Sequence, residues 1–194
     1  ELIKIPNLTL HKLENKNSLA FLKPTKDFFV GSSSENVSCK KNQSRNFNEK
    51  YLEAQKGFNK YNDDFFRKIK LKYIVLCSEL EIAGIPALGF ANPEMKTLIF
   101  NINTNNSNFE RVLHHEVFHI IEHNFNKYFL NISWSDLNSK EFKYSACSTC
   151  SNNYSLEKIY NSKGFVSEYA KSTISEDMAE TFSFMMSDNN LILD

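Results

Sequence analysis

Two histidines four residues apart inside a helical stretch constrain this chain more than any other feature. In His115-Glu116-Val117-Phe118-His119 both imidazoles project from one face of a helix, where they can grip a single metal ion. Glu116 then sits beside that ion without ligating it. The helix itself is legible, because Ser107-Asn108-Phe109-Glu110 has the capping-box pattern and the stretch runs on to about Asn126. Such geometry serves hydrolysis: zinc lowers the pKa of a water and polarises a carbonyl, while the carboxylate takes the water proton and passes it on.

A catalytic zinc takes three protein ligands and keeps one position open, so a third donor is needed elsewhere in the chain. Glu176-Asp177-Met178-Ala179-Glu180 lies on a last amphipathic helix, about Ser175 to Ser187, where Glu176 and Glu180 share a face. Ordinary solvated charges in a first helical turn are the alternative reading of those two residues. His123 continues the histidine stripe and His114 precedes it. A pattern using a third histidine would need it six residues past His119, where the chain has Phe125, and the required glycine is absent. His123 therefore reads as a satisfied or solvated side chain, and His114 points to another side of the helix.

His115-Glu116-x-x-His119, followed by Gly164-Phe165-Val166-Ser167-Glu168-Tyr169-Ala170 and then Glu176-Asp177-Met178-Ala179-Glu180-Thr181-Phe182, resembles the gluzincin metallopeptidases, specifically their lethal-factor-like branch and related bacterial zinc peptidases. The resemblance spans about the last ninety residues. It implies one catalytic zinc held by His115, His119 and Glu176, with Tyr169 supporting the oxyanion and Glu180 orienting a ligand histidine. Physical chemistry agrees with these roles, since a carboxylate on the far N–H of a ligand histidine fixes its tautomer and a hydroxyl can meet developing negative charge. Trp134 with Leu137-Asn138 and Phe142-Lys143-Tyr144 is similar to a loop preceding this motif in some of those bacterial proteins. Its aromatic residues read either as a specificity wall or as core. By analogy an edge strand lies just before the active helix, where an extended substrate pairs by its backbone, and Thr97 to Asn103 occupies that place.

The rest of the chain is expected to form one domain of α+β class. In this reading a zincin-like metallopeptidase fold packs a small mixed or antiparallel sheet on the active-site helix and the C-terminal glutamate helix. Residues 1–46 show short apolar clusters such as Phe28-Phe29-Val30 without stable periodicity, and read as an irregular segment wrapping a catalytic core of residues 47–194. Asn48 to Lys70 has helical periodicity, from Tyr51 through Phe58 and Phe65 to Ile69. Lys72 to Leu80 and Thr97 to Ile102 read as strands, two or three in all, with a turn near Asn92-Pro93 and a loop over Asn103 to Asn106.

Lysine and arginine balance aspartate and glutamate at 23 each, with no long block of either sign, so nucleic acid and anionic membranes are not expected partners. No apolar run approaches the roughly 20 residues of a membrane span. The chain begins at Glu1 rather than Met, which suggests a removed leader and a secreted or cell-envelope location. Four cysteines allow disulfides there, although their pairing is not readable. Cys147 and Cys150 have zinc-knuckle spacing, but nothing completes a tetrahedral site, so a local disulfide or two unrelated thiols are expected. Asn-x-Ser/Thr triplets such as Asn7-Leu8-Thr9 follow from the abundance of asparagine. The leading function is a zinc-dependent endopeptidase acting on a peptide or protein, with Glu116 as general base. The alternatives are a zinc hydrolase of a non-peptide amide and a silent zinc-binding interaction module. A secreted toxin or effector acting on a host protein is invited by the resemblance alone, and oligomeric state is not readable.

Overall fold

A computed structural model describes residues 7–14, 16–32, 36–41, 46–103, 106–129, 133–149 and 164–187. Four strands come first: β1 (Leu8–Glu14), β2 (Leu19–Pro24), β3 (Phe28–Gly31) and β4 (Asn36–Cys39). Helices α1 (Phe47–Phe58) and α2 (Phe65–Lys68) follow, then β5 (Tyr73–Cys77), β6 (Leu80–Ile82), β7 (Ile85–Pro86), β8 (Gly89–Asn92) and β9 (Thr97–Asn101). The long helix α3 (Asn106–Asn124) leads into the short α4 (Asn126–Phe129), and α5 (Ile174–Ser187) comes last. Single 3-10 turns lie at Trp134–Leu137 and Tyr169–Lys171. The class is α+β.

One sheet has the order β1-β2-β5-β9-β8 and is mixed, with β2, β5 and β9 parallel and both outer pairs antiparallel. The other, β3-β4-β6-β7, is antiparallel throughout. The inner strands β2, β5 and β9 of the first sheet are buried on both faces, while β1 at its edge is largely exposed. Side-chain alternation sends Leu98 and Phe100 of β9 into the cluster beneath α1 and α3, while Ile99 joins a second cluster against the other sheet.

That burial overturns the reading of residues 1–46 as an irregular wrapping segment. In β2, Leu19 and Phe21 enter the first cluster and Ala20 and Leu22 the second, so the strand is apolar on both faces and carries no alternation to read. The helix expected over Asn48 to Lys70 is also interrupted. Asn59, Asn62, Asp63 and Asp64 follow Phe58, and side chains of this kind compete for backbone hydrogen bonds and favour turns. Tyr61, Phe66 and Ile69 still reach the same core, which preserves the periodicity across the break.

The strand at the edge beside α3 is β8, not the segment from Thr97, because β9 is hydrogen-bonded on both sides. A disulfide joins Cys39 on β4 to Cys77 on β5 and so ties the two sheets together. Cys147 is disulfide-bonded as well, whereas Cys150 lies outside the described residues. Helix α3 begins at Asn106, which puts Ser107 inside the first turn rather than before it. The Ser107 side chain lies outside the described residues.

Candidate metal centre

Helix α3 is held by Phe109, Leu113, Val117 and Ile120, which bury completely against the first sheet. Its 3.6-residue turn then carries Arg111, His115, His119 and Glu122 along another flank, facing α5. Phe118 on α3 packs with Met178 and Ala179 on α5, fixing the two helices side by side.

Three donor atoms converge between these helices. His115 Nε2 lies 2.9 Å and His119 Nε2 3.4 Å from Glu176 Oε2, and the two nitrogens are 3.1 Å apart. Ligand atoms on a tetrahedral zinc at its usual bond lengths stand about 3.4 Å from one another. The far ring nitrogens are engaged: His115 Nδ1 donates to Glu180 Oε1 at 2.9 Å, and His119 Nδ1 faces Ser175 Oγ at 3.4 Å and Glu122 Oε2 at 3.5 Å. A neutral imidazole has one N–H, so with Nδ1 protonated each Nε2 presents a lone pair. Two lone pairs and a carboxylate oxygen then point at one spot. With both rings neutral and protonated at Nδ1, the buried Glu176 Oε2 faces two lone pairs and has no donor, and the remedy for such a cluster is a cation. The donor set fits zinc.

Protons are the competing cation. Burial alone would lower His115, but its bonds to Glu176 and Glu180 outweigh that and raise it to about 10. His119 is likewise lowered by burial, yet Glu122 and Glu176 lift it to about 9. Glu176 is pushed up by burial and pulled more strongly down by the two histidines, so its carboxyl titrates well below the usual range.

The outer partners form a second layer around the ligands. Glu180 is almost fully buried and takes a hydrogen bond from Arg111 Nη1 at 2.6 Å through its other oxygen, while the Arg111 guanidinium lies over the Phe184 ring. Ser175 Oγ donates to Glu122 Oε2 at 2.5 Å. Arg111, Glu122 and Ser175 had not been singled out from sequence, although Arg111 and Glu122 stand one helical turn from the histidines, a spacing that carries the signal.

Glu116 faces the same cleft, 8 % exposed. Burial raises its carboxyl above the ordinary value against the pull of His115 and His119, and the Ala91 backbone hydrogen-bonds to it. A Cβ on Gly89 would come within 2.6 Å of Glu116 Cγ and 2.9 Å of Val112 Cγ1, so β8 approaches α3 as closely as it does because position 89 has no side chain. Tyr169, on its 3-10 turn, lies with its ring centroid 6.0 Å from that of His115. Burial, then Glu176, push its hydroxyl up, which keeps it a proton donor, and Ser148 hydrogen-bonds to it. The cleft encloses about 780 Å³ and runs between β8 and α3, with Ser148 and Thr149 on its far side.

The other two histidines of α3 stay out of the cluster. His114 is fully buried on the opposite side against the Tyr61 hydroxyl at 2.7 Å, and His123 is half exposed with Glu94 at 3.6 Å. Trp134 settles between its two readings. Its Nε1 donates to Asp177 Oδ2 at 2.7 Å while its ring packs against the cluster of Phe118, Met178 and Ala179, and Tyr144 Oη donates to the same oxygen at 2.6 Å. The loop aromatics thus anchor residues 133–149 on α5.

Residues 44–193 match the sequence model of a family described as "Putative zinc-binding metallo-peptidase". No curated protein and no solved structure matches the chain.

Proposed function

The chain belongs to that zinc-binding metallopeptidase family, and on this premise we propose that it is an endopeptidase of the gluzincin type, cutting extended peptides in the cleft between β8 and α3. The observation that carries the reading is the convergence of His115 Nε2, His119 Nε2 and Glu176 Oε2 with both far ring nitrogens already engaged. These three residues would hold the ion, and Glu180, braced by Arg111, would hold His115 in its ligating tautomer. Zinc, when bound, supplies Lewis-acid polarisation and a water acidic enough to react near neutral pH.

The chain's own residues do the remaining work. Glu116, raised by burial, accepts the proton of the attacking water and returns it to the departing amine. Tyr169, kept protonated, donates its hydroxyl to the carbonyl oxygen as negative charge develops there. The edge of β8, which among the described residues pairs only with β9, offers backbone groups to an extended peptide, in place of the strand expected from Thr97. The Cys39–Cys77 disulfide supports a secreted or cell-envelope location.

Metal analysis of the wild type beside Glu176→Ala, with cleavage of a diverse peptide library with and without chelator, tests the proposal. We expect about one zinc per chain, weakened in the variant, and chelator-sensitive cuts at internal bonds. Zinc without cleavage of any peptide would point instead to a silent interaction module or a non-peptide amide. A wild type that cannot be loaded with zinc would overturn the reading.

A further inference from the structure

A second cavity, of about 440 Å³, lies between the two sheets on the face of β8 that looks away from α3. Its walls are mainly apolar, with Phe28 and Val37 of the antiparallel sheet facing Phe90 and Ile99, and the uncharged polar residues Asn36, Asn92 and Thr97 also line it. Among the described residues no ionisable side chain lines it. Ile82, Ala83 and Phe90 line both this cavity and the metal cleft, so the two spaces adjoin at the free edge of β8.

Pairing within the sheet explains why the edge strand serves both sides. Gly89 and Ala91 stand opposite Phe100 and Leu98, whose side chains face the helices, whereas Phe90 stands opposite Ile99 and faces the cavity. A peptide added to the free edge of β8 continues that alternation, one side chain toward α3 and the next toward the inter-sheet space. Charged side chains are excluded there by their desolvation cost, and a cavity of this size admits the largest apolar ones.

Building on the peptidase reading above, we propose that the inter-sheet cavity is a specificity subsite, selecting peptides with a bulky apolar residue at the position whose side chain turns away from α3. The substrate class is an extended peptide bearing Phe, Leu or Met at one fixed register position from the cleaved bond. Phe90 and Val37 are the specificity-determining residues.

The test uses zinc-loaded full-length protein and peptide pairs that differ at a single position. We expect kcat/KM to favour Phe or Leu over Ala by about 10- to 200-fold at one register position, with Lys rejected. Filling the cavity by Val37→Trp should shrink that ratio to about 2-fold or less, chiefly through slower cleavage of the Phe and Leu peptides. Val30→Phe, from the neighbouring strand β3 where Val30 lines the cavity and pairs with Val37, repeats the experiment should Val37→Trp not fold. In a Glu116→Gln background the Kd of labelled, uncleaved peptides should show the same preference and the same loss on filling. Cleavage without a side-chain preference, or a preference untouched by both filled variants, overturns the subsite and leaves the peptidase standing. Zinc-loaded protein that cleaves no peptide overturns the peptidase reading and the subsite with it.

Discussion

At the scale of single residues, Glu180 and Gly89 show how much of the site lies outside the atoms that would touch metal. Glu180 joins His115 to Arg111 in a chain of charge-assisted hydrogen bonds that is nearly all buried. Glu180→Ala should lower zinc affinity about 10- to 100-fold, read by competition with a chromogenic chelator, because the tautomer of His115 is no longer held. Gly89→Ala should keep its zinc and lose on the order of 100-fold in kcat/KM, since the new methyl occupies the place of the Glu116 side chain. A normal rate in that variant would mean that β8 yields easily. His114 reports on pH. Burial, aided by Lys60 and opposed by Glu110, lowers it to about 4, while the unfolded side chain titrates near 6.5. Between those values only the unfolded chain takes the proton. The stabilisation is therefore complete above about pH 6.5 and is lost as pH falls toward 4, by about 3 kcal/mol. Denaturant titrations at pH 7 and pH 4.5 should show the wild type losing more stability on acidification than His114→Gln.

At the scale of elements, α3 and α5 are the two halves of the candidate metal centre, and Asp177 ties a third element to them. One carboxylate oxygen takes the Trp134 indole N–H and the Tyr144 hydroxyl, and Tyr144 in turn takes a hydrogen bond from Asn138 Nδ2 at 2.8 Å. Phe142, Tyr144 and Phe165 pack edge-on or tilted around this point. The loop so anchored brings Ser148 and Thr149 to the cleft, where Ser148 meets Tyr169. Asp177→Ala should cost about 2–3 kcal/mol, because two donors lose their acceptor, and should open residues 133–149 to limited proteolysis without removing zinc. Equal protease resistance in variant and wild type would contradict the anchoring role.

At the scale of the whole molecule, the Cys39–Cys77 disulfide closes a 38-residue separation and binds the antiparallel sheet to the mixed one. Replacing both cysteines by serine should cost about 4 kcal/mol on the chain-entropy model, seen as a lower Tm. The features legible in the sequence are those set by neighbours one helical turn apart. His115 and His119, Glu176 and Glu180, and the apolar stripes of α3 and α5 share faces through i, i+4 geometry, which any helix imposes. The resemblance then named Tyr169 ahead of any distance. What tertiary structure alone decided rests on pairings between distant segments: β2 beside β5, β8 rather than β9 at the edge, Trp134 on Asp177, and Cys39 on Cys77. Strand order and register depend on which buried faces meet, and Leu19-Ala20-Phe21-Leu22, apolar on both faces, leaves no local period from which that choice could be read.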